Sequence, residues 1–418
     1  MENHLKSHPC FDHEARKKFG RIHLPTAPSC NVQCNFCNRK YDCPNESRPG
    51  VTSALLSPRE AIEYTKEAVQ RMPNISVVGI AGPGDPFATP DLTLETLQLV
   101  REEYPDMLLC TASNGLNVAP YVEELKALKV SHVTITVNAL YPSIGALIYA
   151  WVRKNKKVYR GTAGASVLFD NQQEAVAKLV EAGITTKINT IVMPGINQDH
   201  IGDIAKWAKD MGANIINCIP VYPVEDAVFA DMKAPTKATM DTILEEAGQY
   251  LPLMRHCARC RADAAGLLSM GTTREAQELI TAAIRRSYEN KPLVAVATRE
   301  GMLVNQHLGE ADTFLVFERA ENGAIRQVGR RIAPAAGTGD ARWEALAQTL
   351  RDCRAVLVAD AGDNPKNVLA QKGIKVIATE GMIDEAVHAV FDGRSVPNPV
   401  ASFQGCGHNC KGNGLGCG

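Results

Sequence analysis

Cys30, Cys34 and Cys37 form a C-x3-C-x2-C triplet within eight residues, just after a short strand-like run at 22–26. Cysteine thiolates are the usual ligands of iron–sulfur clusters, and three of them can hold three irons of a 4Fe–4S cluster. The fourth iron is then open, and an open position on a metal is where a small molecule coordinates. A structural zinc site would want thiols two by two and a fourth ligand close by, which the x3-x2 spacing fits poorly. A loop at the C-terminal end of a strand is also where parallel α/β barrels place their chemistry. The triplet therefore calls for a parallel sheet whose strand ends are open to a ligand.

The rest of the chain supplies such a sheet. Runs rich in Val, Ile, Leu or Thr occur at 22–26, 76–81, 107–112, 132–138, 185–193 and 214–221, with amphipathic stretches at 57–72, 171–183 and 199–212 between them. This alternation predicts βαβ units, and six of them make an α/β fold of the partial (β/α)6 barrel type. The pattern breaks near Asn290 and Pro292. A second α/β pattern follows, with strands expected at 293–298, 313–318, 355–360 and 375–379 and helices at 364–372 and 382–391. A chain of 418 residues accommodates this division. The expected domains are 1–290, 291–400, and a Gly- and Cys-rich tail at 401–418.

Net charge is −1, so no nucleic-acid or membrane-surface partner is expected. No apolar run has the length of a membrane span, and the polar start lacks a signal peptide's apolar stretch. The expected location is the cytoplasm. Thirteen cysteines in such a setting point to metal rather than disulfides.

Several other residues are candidates for chemistry. Gly82, Gly84 and Asp85 lie in a glycine-rich segment that ends the second strand. Such a segment closes a strand–helix turn, or brings backbone carbonyls close to the ammonium of an amino acid. Asn138 and Asn189 sit at strand ends, as satisfied polar groups or as ligand contacts. Cys10, His23, Cys43, Cys110, Cys257 and Cys260 are a surplus of soft ligands around the barrel, whereas Cys218 and Cys353 read as packing. Cys257 and Cys260 form a C-x2-C, which a zinc ion could share with Cys110 and one further residue. Glu46 and Arg48 follow Cys43 and read either as a surface ion pair or as charged groups of a pocket.

The triplet with Phe36 resembles the radical S-adenosylmethionine (SAM) superfamily. The resemblance implies a 4Fe–4S cluster whose open iron chelates SAM and whose electron releases a 5′-deoxyadenosyl radical. It also implies that Gly82, Gly84, Asp85, Asn138 and Asn189 contact SAM. Taken together, His8-Pro9-Cys10, the triplet, the 46–50 segment, the 81–86 turn, Thr134, Thr136 and Asn138, and the C-x2-C resemble the nitrogenase cofactor-maturation family of radical SAM proteins. That likeness covers almost the whole chain. It implies two further 4Fe–4S clusters as substrates, one on Cys10, His23 and Cys43 and the other on Cys110, Cys257 and Cys260. They are fused into an eight-iron core around a carbide, with an extra sulfur. One SAM methylates a cluster sulfide and a second supplies the radical. Glu46 is implied as a proton acceptor or cluster contact, and Arg48 as an organiser of the charged pocket.

Residues 291–400 resemble the NifX-type cofactor-carrier domain, an RNase H-like fold in which His307 is a candidate ligand. Cys406, His408, Cys410 and Cys417 in the tail read as further iron ligands or as a flexible appendage. The implied partners are nitrogenase cofactor scaffold and carrier proteins, iron–sulfur cluster donors, and an electron donor such as ferredoxin or flavodoxin. Two other functions fit the thiols: a multi-cluster radical SAM enzyme acting on an organic or peptide substrate, and a non-enzymatic iron–sulfur scaffold.

Overall fold

The computed structural model describes residues 8–11, 14–47, 50, 52, 54–255, 257, 260–267, 274–287, 291–320, 322–335 and 340–399. The chain divides into two units, residues 1–55 with 65–277, and residues 56–64 with 278–418.

The first unit is built on six parallel strands: β1 Gly20–His23, β2 Ile75–Ile80, β3 Leu108–Ser113, β4 His132–Thr136, β5 Thr185–Val192 and β6 Ile215–Pro220. They lie side by side in sequence order, and a two-residue strand, β7 Ala265–Gly266, pairs antiparallel with β1. Helices such as Pro90–Glu103, Gly161–Glu181 and Ile201–Asp210 connect successive strands. This is the partial (β/α)6 barrel expected from the alternating pattern. The strands form where they do because both faces are covered. Ile75, Val77, Val78 and Ile80 of β2 are all buried, as a parallel strand under helices requires. In register, His23 on β1 faces Gly79 on β2, and Gly79 faces Cys110 on β3.

The cysteine loop is anchored from below. Val32–Cys34 forms a short strand that pairs antiparallel with Tyr149–Lys154, a hairpin partner of Lys157–Tyr159. Phe36 is buried in a cluster with Val32, Ile148, Tyr149 and Leu168. From the side, the loop is held by the glycine turn after β2. The Gly84 N–H donates to the Ala27 carbonyl and the Asp85 N–H to the Ser29 carbonyl, both at 2.7 Å. A Cβ at position 84 would lie 2.1 Å from the Ser29 oxygen, so only glycine allows this approach.

The second unit carries a five-stranded sheet in the spatial order β10–β9–β8–β11–β12. Its strands are β8 Leu293–Ala297, β9 Thr313–Arg319, β10 Ile325–Ile332, β11 Cys353–Val358 and β12 Lys375–Ala378. The first three pair antiparallel and the last two extend the sheet in parallel, which is an RNase H-like arrangement. One face packs Phe314 and Val316 against Trp343 and Leu346, and the other packs Val294 and Val296 against Val387 and Phe391. The sequence pattern did not mark β10. Its residues alternate between exposed and half-buried at the sheet edge, so it lacks the apolar run of the inner strands.

Candidate functional site

Two cavities open at the strand ends of the first unit. The first, of about 480 Å³, is lined by Cys30, Cys34, Cys37 and Cys43 and by Arg39, Glu46, Gly84, Asp85 and Asn114. The second, of about 620 Å³, is lined by Cys10, His23, Cys110, Cys257 and Cys260 together with His8, Lys187 and Asn189. Glu46 and Ala112 line both, so the cavities adjoin.

In the first cavity the three thiols of the triplet line one space. Burial pushes the Cys34 thiol well above its usual range, and the neighbouring Cys37 and Cys30 push it further. Burial likewise pushes the Cys37 thiol up to about 12. The charge of Arg39 works against this rise, and bound iron would favour the deprotonated sulfurs further. Donors already point at Cys30. The Asn114 amide reaches its sulfur at 3.6 Å and the Arg39 guanidinium hydrogen-bonds it. Burial opposes the charge of Arg39, but Cys30 and Cys37 outweigh it and hold its pKa raised. Among the described residues, no three His, Cys, Asp or Glu side chains come together tightly enough for a single metal ion. Three thiols lining one cavity, with N–H donors at Cys30, are a ligand set that a 4Fe–4S cluster can use.

The glycine turn beside the triplet lines this cavity, but Asp85 is fully engaged. Its carboxylate accepts from Ser113 Oγ at 3.0 Å, from the Asn114 N–H at 2.6 Å and from the Phe87 N–H at 2.9 Å. It ties the end of β2 to the end of β3, and burial holds its pKa raised. Asn138 lines neither cavity. Its Oδ1 accepts from the Ile191 N–H at 2.8 Å and its amide nitrogen lies 3.5 Å from Asn45 Oδ1. Asn189 lines the second cavity and donates to Glu46 Oε1 at 2.8 Å and to the Asn45 carbonyl at 3.2 Å.

Cys43 lies with the triplet. Beyond burial, the groups that raise its thiol are first Cys37 and Cys30. Cys10 instead feels Cys260, Cys110 and Cys257, so these four thiols surround one space. His23 and Cys110 flank a common glycine. A Cβ at Gly79 would sit 2.8 Å from Cys110 Sγ and 3.3 Å from His23 Cδ2. His23 Nδ1 donates to the Arg261 carbonyl at 3.1 Å, because a carbonyl can only accept. That fixes the neutral tautomer with its lone pair on Nε2. Burial and the charge of Arg21 bring the His23 pKa down to about 4, so the ring is neutral at pH 7. A neutral imidazole whose other nitrogen is held by a carbonyl is the usual form of a histidine metal ligand. Arg48 and the tail residues Cys406, His408, Cys410 and Cys417 lie outside the described residues.

Glu46 stands between the cavities. Its Oε1 accepts from Thr136 Oγ1 at 3.0 Å and from Asn189. Burial raises its pKa, and the charge of Lys187 works against that rise. Lys187, on β5, is buried and lines the second cavity. Burial opposes its charge, but Glu46 and the thiols of Cys10, Cys257 and Cys110 outweigh that effect and its pKa is raised. Sequence reasoning passed over Lys187, Arg39 and Asn114. Lys187 did leave a signal, as a lone charge inside an otherwise uncharged strand run.

In the second unit, His307 is half-buried and its Nδ1 accepts from the Gly309 N–H at 3.0 Å, capping the short turn Leu308–Glu310.

A C-x3-C-x2-C loop at the strand ends of a parallel partial barrel is the arrangement of a radical SAM protein, and residues 24–208 match the family model of the radical SAM superfamily. Residues 290–393 match a second model, described as dinitrogenase iron-molybdenum cofactor. FeMo cofactor biosynthesis protein NifB of Chlorobaculum tepidum is 51% identical over the whole of both chains. The protein of the same name from Azotobacter vinelandii is 36% identical, covering 93% of this chain and 88% of that one. The chain belongs to the NifB family. Among solved structures, methylornithine synthase is similar over 60% of this chain and 67% of that one, at 14% identity and a TM-score of 0.40. No described helix is long and apolar enough to cross a membrane.

Proposed function

We propose that this radical SAM protein of FeMo cofactor biosynthesis joins two 4Fe–4S clusters, inserts a carbide derived from SAM and adds one sulfur, giving the eight-iron precursor of the cofactor. The observation that carries this reading is the pair of adjoining cavities. One is lined by the triplet and the other by four thiols and a neutral histidine, with a single carboxylate between them. A multi-cluster enzyme with an organic substrate would use such thiols for electron transfer, and the likeness to FeMo cofactor biosynthesis proteins favours cluster building instead.

Cys30, Cys34 and Cys37 hold the resident cluster, with Gly82, Gly84 and Asp85 shaping the SAM side of its cavity. When bound, that cluster and SAM supply a methyl donor and a 5′-deoxyadenosyl radical. Cys10, His23, Cys110, Cys257 and Cys260 hold substrate iron in the second cavity, and Cys43 contributes from the first. Ligation by few protein groups, one of them neutral, leaves the product free to depart. Glu46 is the proton acceptor for the carbon being stripped of hydrogen. Its Oε1 is taken by Thr136 and Asn189, so Oε2 is the atom that takes the proton. Asn189 and Asn138 hold the 45–46 segment in place for this. Arg48 completes the charge of the pocket. We assign residues 291–400 to product handling, with His307 as a transient ligand. The protein works in the cytoplasm with an electron donor such as ferredoxin or flavodoxin, with cluster donors, and with scaffold and carrier proteins. The test is anaerobic incubation of iron-loaded protein with SAM and a reductant, without organic substrate. 5′-Deoxyadenosine together with an eight-iron product is expected. A requirement for an organic substrate contradicts the proposal.

A further inference from the structure

Arg21, on β1, heads the largest fully buried side chains, at 1% exposed. It lies next to Gly266 on the antiparallel edge strand β7. Its Nη1 donates to the carbonyls of Gly266 and Leu267, the latter at 2.8 Å. Its Nε and Nη2 both donate to one atom, Cys260 Sγ, at 3.3 and 3.0 Å. Among the described residues no carboxylate forms an ion pair with it. A guanidinium does not release its proton, and a buried charge without a counter-charge is strongly unfavourable. Sulfur bound to iron carries negative charge and accepts N–H groups more readily than a neutral thiol. The two carbonyls fix the plane of the guanidinium, so the sheet edge sets the direction of the fork. His23, two residues along β1, projects from the same face as Arg21.

We propose that Arg21 is a positioning residue for the iron–sulfur substrate of the second cavity: its fork, aimed by the two carbonyls, fixes the direction of Cys260 Sγ for iron, and its two N–H groups draw charge from that sulfur so that the bound cluster is easier to reduce. Hydrogen bonds to ligand sulfur and net local charge are recognised determinants of cluster potential. Groups that orient a ligand typically change metal affinity about 10–100-fold when removed. The inference rests on the reading that Cys260 ligates substrate iron.

The test uses the full chain carrying Cys30→Ala, Cys34→Ala and Cys37→Ala, so that iron bound at the barrel belongs to the substrate sites. Arg21 is compared with Arg21→Met and Arg21→Lys. The lysine keeps a cation for the Gly266 and Leu267 carbonyls but cannot fork onto sulfur. In folded Arg21→Lys protein we expect a more negative midpoint in an EPR-monitored redox titration and iron affinity lower by about tenfold or more in chelator competition. A third measurement needs no change at position 21. Protein with ¹⁵N-labelled arginine should show nitrogen hyperfine coupling to the reduced cluster in pulsed EPR. Unchanged potential and affinity in folded Arg21→Lys protein, or absence of that coupling, overturns the inference while leaving the cluster reading intact. Failure of the Arg21-containing protein to bind iron in this cavity overturns the cluster reading, and the inference with it.

Discussion

Asn189 Nδ2 donates to Glu46 Oε1 at 2.8 Å, and the pair stands where the triplet's cavity meets the second one. Asn189 lies on β5 and the other partner of Oε1, Thr136, on β4, so two strands of the sheet aim a carboxylate that belongs to a loop. Oε2 is the oxygen we propose as the proton acceptor.

Glu46→Gln keeps an acceptor for Thr136 and Asn189 but removes the proposed proton acceptor. Iron content and thermal stability should stay near those of the unaltered protein, while formation of the eight-iron product falls by roughly 10²–10⁴-fold. Product yield per 5′-deoxyadenosine released is the measurement. Burial holds the Glu46 pKa above the usual carboxylate range, so its basic form appears only as pH rises through that raised value. The acid limb of the pH profile should therefore lie above that of a solvent-exposed glutamate and be missing in Glu46→Gln.

Lys187→Met tests the charge beside it. Lys187 is the strongest influence holding the Glu46 pKa down. Without it the Glu46 pKa rises further, and the acid limb of product formation should move to higher pH with the alkaline side unchanged. A limb that stays in place would show that Lys187 does not act on Glu46.

Gly79→Ala is directed at the second cavity alone. The added Cβ would lie 2.8 Å from Cys110 Sγ, and either the sulfur or the strand must shift. Retention of the resident cluster with loss of substrate iron is the expected pattern, read as iron per chain and the EPR signals that remain.

Gly84→Ala should damage the triplet instead. Its Cβ meets backbone, not a flexible side chain, at 2.1 Å, so the glycine turn and the cysteine loop must part. We expect a destabilisation of about 3 kcal/mol or more by denaturant titration, the upper range for overpacking. Gly329→Ala has nothing within 4 Å and should change stability by less than about 0.5 kcal/mol.

Much of the barrel was legible because its strands are apolar runs. The expected 76–81, 107–112 and 185–193 match β2, β3 and β5 to within a residue or so. The triplet was legible because its ligands are neighbours in sequence. The second cavity was legible only as a surplus of thiols, and its geometry was not. Arg21 and Cys260 are 239 residues apart, and no local pattern links them. Gly79 carries no signal of its own, since its role is to leave room for Cys110 and His23 on adjacent strands. The partition of Cys10, His23 and Cys43 into one set came from resemblance, and here Cys43 lines the triplet's cavity while Cys10 and His23 line the other.

The most direct test of the central claim is to follow the SAM methyl carbon. Iron-loaded full-length protein is incubated anaerobically with reductant and methyl-¹³C SAM, and the iron–sulfur product is isolated and examined for ¹³C by pulsed EPR. The account predicts one ¹³C coupled to the eight-iron cluster, and far less of this labelled product from Glu46→Gln. An eight-iron product that forms while SAM is consumed, yet carries no ¹³C, would contradict it.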